Sequence, residues 1–140
     1  MLHSTWAIIV LLMLVIAVVN AIISLTANKA FKEKDLRIPL FTLIVAHIQL
    51  ILGLIAVFTS AQFHHAKEIG MGAAMKDSEI RTVVIEHPFT MIIAIIVLTI
   101  GFSRFKNKAT DKEMYKTIAV YYGIALLLVL SRIPWGTWFK

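Results

Sequence analysis

The chain has 140 residues, of which 59% are hydrophobic and 16% charged, and its mean hydropathy is +0.84. Soluble domains run at ~45–50% apolar and ~25% charged, so this composition argues against a water-soluble globule. The absence of cysteine excludes disulfides, Cys-ligated zinc, iron–sulfur clusters and covalently attached haem, and the net charge of +6 bears on membrane topology before nucleic acid, which is not an expected partner.

In chain order, residues 5–27 and 38–62 carry no charge apart from the titratable His47, and each exceeds the ~20 residues that cross a bilayer. Two shorter apolar windows extend backward as helical pattern, which predicts further helices over about 78–104 and 112–132. The expectation is an all-α, antiparallel bundle of four transmembrane helices forming a single integral membrane domain over residues 1–140. Pro39 stands just inside the second helix and Pro134 just after the fourth, where a missing amide matters little. Thr110 and Glu113 have the spacing of a capping box at the start of the last helix.

Cation placement predicts orientation. Lys29, Lys32, Lys34 and Arg37 follow the first helix, and Arg104, Lys106, Lys108, Lys112 and Lys116 follow the third. The opposite side holds only Lys67, Lys76, Arg81, Arg132 and Lys140. By the positive-inside rule both termini lie outside the cytoplasm, on the periplasmic side of a bacterial inner membrane. The first helix lacks a basic leading segment and a clear small-residue cleavage site, so it reads as retained rather than cleaved. Trp6, Trp135 and Trp138 then fall at the outer interface.

Polar groups within the spans are few: Asn20, His47, Gln49, Glu86, His87, Thr90, Tyr121, Tyr122 and Arg132. Each is costly in hydrocarbon unless it faces protein, water or a cofactor. Asn20 reads as a link between helices, and Arg132 as a cation snorkelling to the headgroups.

On the second helix Thr42, Ala46, Gln49, Gly53, Ala56 and Ser60 form a stripe of small or polar residues suited to close helix approach. His47 lies ~140 degrees from that stripe, among Leu43, Ile44, Leu50, Ile51 and Leu54. A neutral His47 bonded to a neighbouring helix would satisfy it without any cofactor. On the third helix His87 shares a face with Met91, Ala94, Leu98 and Gly101, at the mouth of a groove able to take a flat ligand. Histidines on two helices of a bundle can hold a non-covalent haem b from opposite faces, so His47 and His87 are the candidate axial pair. Against this, their distances from the charged boundary differ by roughly 10 Å for untilted helices.

A second group gathers toward the outer surface: His3, His64, His65, Arg81, Glu86 and His87, with Met71 and Met75 at helical spacing. Histidine with thioether suits copper, and the same region could take zinc. Histidine, arginine and carboxylate beside an apolar groove suit a quinone headgroup. Glu86, close to hydrocarbon, calls for Arg81, His3 or His87 as partner, or for a proton.

The strings Leu2-His3-Ser4, Ala46-His47-Ile48-Gln49, Gly53, Met75-Lys76-Asp77-Ser78, Arg81, Glu86-His87-Pro88 and Ile133-Pro134-Trp135 resemble small bacterial four-helix membrane proteins labelled cytochrome-b-like, over nearly the whole chain. The resemblance implies haem b and electron transfer, with His3, His47, Arg81, Glu86 and His87 as the characteristic polar set. Gln49 joins these as a candidate cofactor-binding residue. Larger di-haem cytochromes b carry four histidines within their helices, whereas only His47 and His87 lie within spans here, which leaves room for one bis-histidine haem unless His3 or His64 and His65 add ligands. The expected function is electron transfer through one haem b per chain, exchanging electrons with quinone or a respiratory partner, in a homodimer or larger complex. A copper- or zinc-binding protein and a cofactor-free accessory subunit are the rival expectations. No nucleophile motif or phosphate loop supports a stand-alone enzyme.

Overall fold

The computed structural model describes residues 2–133, and among them there are helices and no strand. Helix α1 spans Leu2–Thr26 and α2 Glu33–Phe58; three short helices follow, α3 (Ala61–Ile69), α4 (Met71–Lys76) and α5 (Ser78–Arg81). A π-helical segment, Thr82–Glu86, leads into α6 (His87–Phe105), and α7 spans Asp111–Ser131. Four stretches, Leu2–Thr26, Glu33–Phe58, Ser78–Phe105 and Asp111–Ser131, are long and apolar enough to cross a membrane. Large apolar side chains remain exposed along them, among them Leu12 at 58% and Leu127 at 68%, as a lipid-facing surface requires. The chain is therefore a multi-pass membrane protein.

The boundaries differ from the expected ones for local reasons. Helix α2 starts at Glu33 because Lys32 caps it: the Lys32 amide donates to Asp35 Oδ2 at 2.9 Å, and Glu33 and Asp35 complement the positive end of the helix dipole. It stops at Phe58, and Ser60 then caps α3 by accepting from the Phe63 amide at 3.1 Å. Of the box at α7 one half is present: Thr110 accepts from the Glu113 amide at 3.1 Å. The π-helical segment has its cause in Pro88, which has no N–H to donate and whose ring would meet the carbonyl four residues back. The His87 amide instead reaches Thr82, five residues back.

Helices α1 and α2 pair His3 with Gln49, Trp6 with Val45, Met13 with Thr42 and Asn20 with Asp35. Helix α7 packs on α1 and α6, and the seam between α2 and α6 is the sparsest of the four. The core between them is built on Leu14, Leu98, Phe105, Tyr115 and Tyr122, all fully buried. Gly101 lets α6 approach α7 against Tyr121.

Asn20 is the interhelical link expected of it. Its side chain donates to Asp35 Oδ1 at 3.0 Å, and the Tyr115 hydroxyl lies 2.9 Å from Oδ2, so the buried Asp35 joins α1, α2 and α7. Tyr122 donates to the Pro39 carbonyl at 2.8 Å. The small stripe of α2 is used inside the chain: Thr42 and Ala46 are buried and Gln49 bonds α1, so this stripe does not supply a free face for a second copy. Trp6 is likewise more than an interfacial anchor, since its indole donates to the Val45 carbonyl at 2.8 Å. Pro134, Trp135, Trp138 and Lys140 lie outside the described residues.

Candidate functional site

At the end of the bundle where α1 begins, an apolar cavity of about 250 Å³ lies between α1, α2 and α6 and is closed by the end of α7. Its walls are aliphatic, with Leu50, Leu54 and Val57 of α2 facing Met91, Ile95 and Leu98 of α6. The polar lining is His3, Ser4, Gln49, Thr82, His87 and Arg132.

His3 and His87 approach each other here, with ring centroids 6.1 Å apart and planes at 79°. His3 sits in the first turn of α1, where Gly53 leaves room for it: a Cβ at position 53 would stand 3.0 Å from His3 Cε1. One turn away, Gln49 donates its amide to the His3 carbonyl at 3.0 Å. Together Gln49 and Gly53 form a seat for the histidine on α2. Two further polar atoms of this seat are buried, His3 Nδ1 and Gln49 Oε1, an imidazole nitrogen and an amide oxygen that complement each other as donor and acceptor.

His87 is held differently. Its Nδ1 is 2.8 Å from the Arg132 carbonyl, which can only accept, so the ring proton is on Nδ1 and the Nε2 lone pair is left free. A histidine anchored through one nitrogen by a backbone carbonyl has the usual second support of a metal-ligating imidazole. The neighbouring Glu86 receives Arg81 Nε at 2.7 Å, and Arg132 Nε stands 3.9 Å from its other oxygen. Arg81 also donates to the Met75 carbonyl at 2.8 Å, fastening α4 above the site.

His47 does not reach this cavity. It is exposed on the far side of α2 beside Ile44, Ile48 and Ile51, and its Nδ1 donates to the Leu43 carbonyl one turn back at 2.8 Å. The structure thus brings His3, rather than His47, beside His87. Gly53, level with His3, is six residues beyond His47, or roughly 9 Å along the axis, which matches the depth mismatch between His47 and His87.

The outer metal constellation is not assembled either. His64 and His65 are exposed on α3, where His65 faces Glu68 at 3.9 Å, and Met71 and Met75 point to the surface at 58% and 41% exposure. Among the described residues no group of three or more His, Cys, Asp or Glu is placed to hold a metal ion. A haem needs only two axial donors. His3 and His87, with ring centroids 6.1 Å apart, are the residues that would hold one. The two histidines suit such a group, but the cavity of about 250 Å³ is narrow for it, below the ~300–1,000 Å³ of small-molecule sites, and a macrocycle requires α2 and α6 to part along their sparse seam.

Arg132 was read from sequence as a snorkelling cation, yet it supports His87 through its backbone and Glu86 through its side chain. Nothing local in the sequence signals that pairing. Gly53 was visible as part of the small stripe, but its role as the seat of His3 depends on how α1 and α2 register.

No family model, curated protein or solved structure is similar enough to this chain to count as a match.

Proposed function

We propose that this protein holds one b-type haem between His3 and His87 and serves in electron transfer across the outer part of a bacterial inner membrane, with both termini on the periplasmic side. The observation that carries this reading is the His3–His87 pair, 6.1 Å apart at the head of an apolar cavity, with His87 Nδ1 tied to the Arg132 carbonyl. A bound haem would supply one-electron redox chemistry. The chain's own residues would hold and shield it: His3 and His87 would offer imidazole nitrogens, Gln49 and Gly53 position His3, and the leucines of α2 and α6 would exclude water. Glu86 and Arg81, next to His87 at the rim, set the local charge and lie where a quinone or respiratory partner would exchange electrons and protons.

The test is a reduced-minus-oxidised visible spectrum of protein in mild detergent, with extracted haem quantified. One haem per chain and sharp α and Soret bands, lost in His3→Ala and His87→Ala, are the expected result. A colourless, folded preparation overturns the reading in favour of a cofactor-free accessory subunit. Bound copper or zinc without haem would favour the metal-binding alternative.

A further inference from the structure

At the end of the bundle away from the histidine cavity, a second recess of about 290 Å³ lies where α1 ends and α7 begins. Its lining includes the buried Ser24 and Tyr115 and the exposed Lys29, Asp111 and Lys112. Both lysine-bearing segments are fixed. At the end of α1, Asn28 takes a left-handed backbone conformation, φ 53°, and the Lys29 amide donates to the Ser24 carbonyl at 3.0 Å, which closes the helix. At the start of α7, Thr110 caps the first turn, and the Tyr115 hydroxyl lies 2.9 Å from the Ala30 carbonyl, tying one segment to the other.

The cations at this end are not equivalent. Arg37 is paired with Glu33 at 2.6 Å, and Arg104 and Lys106 lie over the rings of Tyr121 and Phe102. Among the described residues Lys29 and Lys112 make no ion pair or ring contact, and neither pairs with Asp111 although all three line one recess. The buried carboxylate of Asp35 is already engaged by Asn20, the Lys32 amide and Tyr115. Two ammonium groups and one carboxylate leave the lining with a single excess positive charge, the complement of one phosphodiester. A lysine that only sets orientation needs water around it and no recess. This pair bounds one at the level where the spans end, and Ile22, one turn into the span from the lining residue Leu25, is exposed as apolar surface.

We propose that this recess binds the headgroup of one acidic phospholipid, with its phosphodiester between Lys29 and Lys112 and its acyl chains along α1 past Ile22. The inference does not depend on what the histidine cavity holds. Lysine meets phosphate as a point charge with three rotatable donors, so two of them can bracket a phosphodiester from separate segments.

The experiment titrates the full chain in mild detergent with a short-chain phosphatidylglycerol and with phosphatidylcholine of the same acyl length. It reads the melting temperature, which rises with any ligand that binds only the folded state. In the wild type phosphatidylglycerol is expected to raise it by several degrees and phosphatidylcholine to leave it nearly unchanged. Lys29→Gln/Lys112→Gln should weaken phosphatidylglycerol roughly thirtyfold, the worth of two lysines near anionic headgroups. Lys106→Gln/Lys108→Gln removes the same charge from the same end but not from the recess, and should retain most of the affinity. If the first double variant does not fold, Lys112→Gln alone carries the test, with a weakening of roughly fivefold expected. Equal response to the two lipids, or no loss in the recess variants, overturns the proposal. Equal loss in both double variants also overturns it, because a diffuse field would then suffice. A shift reproduced by glycerol 3-phosphate at the same concentration overturns it in favour of a soluble anion.

Discussion

The imidazoles of His3 and His87 meet edge to face inside the bundle, with centroids 6.1 Å apart, although one belongs to the first turn of α1 and the other to the start of α6. This pairing separates the histidines of the chain by consequence. His3→Ala and His87→Ala should each abolish the haem bands, whereas His47→Leu, on an exposed face and bonded within its own helix, should retain them at wild-type intensity. Loss of the bands in His47→Leu would return His47 to the site.

Gly53 should tolerate nothing larger. In Gly53→Ala the added carbon stands 3.0 Å from His3 Cε1, so the ring must give by a few tenths of an ångström; Gly53→Leu has no such remedy. Overpacking of this kind costs about 1–3 kcal/mol. The expected outcome is a several-fold weaker haem affinity for alanine and loss of binding for leucine, read by titration of the haem-free protein.

At the opposite end, Tyr115→Phe should destabilise more than Tyr122→Phe. The first removes a bond to the buried carboxylate of Asp35, a class worth about 1.5–3 kcal/mol. The second removes a bond to the Pro39 carbonyl, and such interhelical bonds in membranes average about 0.6 kcal/mol. Thermal unfolding in detergent, or denaturant titration, gives the order; equal losses would show that Asp35 is satisfied without Tyr115.

Gly101 and Gly123 form an internal control. A Cβ on Gly101 would collide with Tyr121, so Gly101→Ala must push α6 and α7 apart and lower the melting temperature. Gly123 has nothing near its missing Cβ, and Gly123→Ala should be neutral or raise stability by up to about 1 kcal/mol through helix propensity.

What the sequence made legible follows the range of each signal. The four spans and the face of α6 carrying His87, Met91, Ala94 and Leu98 could be read from hydropathy and helical period, and that face does line the cavity. The Glu86 pairing with Arg81 was also foreseeable, because a carboxylate so near hydrocarbon requires a partner. The meeting of His3 with His87 was not. His47 stood out by contrast with its apolar neighbours, but contrast alone does not say whether a side chain faces the interior or the lipid. His3 stood among the candidate residues, but only the register of α1 on α2 brings it beside Gly53 and His87. Asp35 drew no attention in the sequence, yet it is one of the most buried groups among the described residues, held by partners on α1, at the start of α2 and on α7.

The attachment of His87 to the Arg132 carbonyl has a consequence for biogenesis. The pocket draws its first histidine from the earliest turn of α1 and its last support from the residue just beyond α7. During synthesis the early helices can enter the bilayer and pair, but His87 stays untethered until α7 has crossed and docked. Insertion therefore has to be finished before the chamber is complete, and a nascent chain halted before α7 would present His3 and His87 without the anchor that aims the second of them.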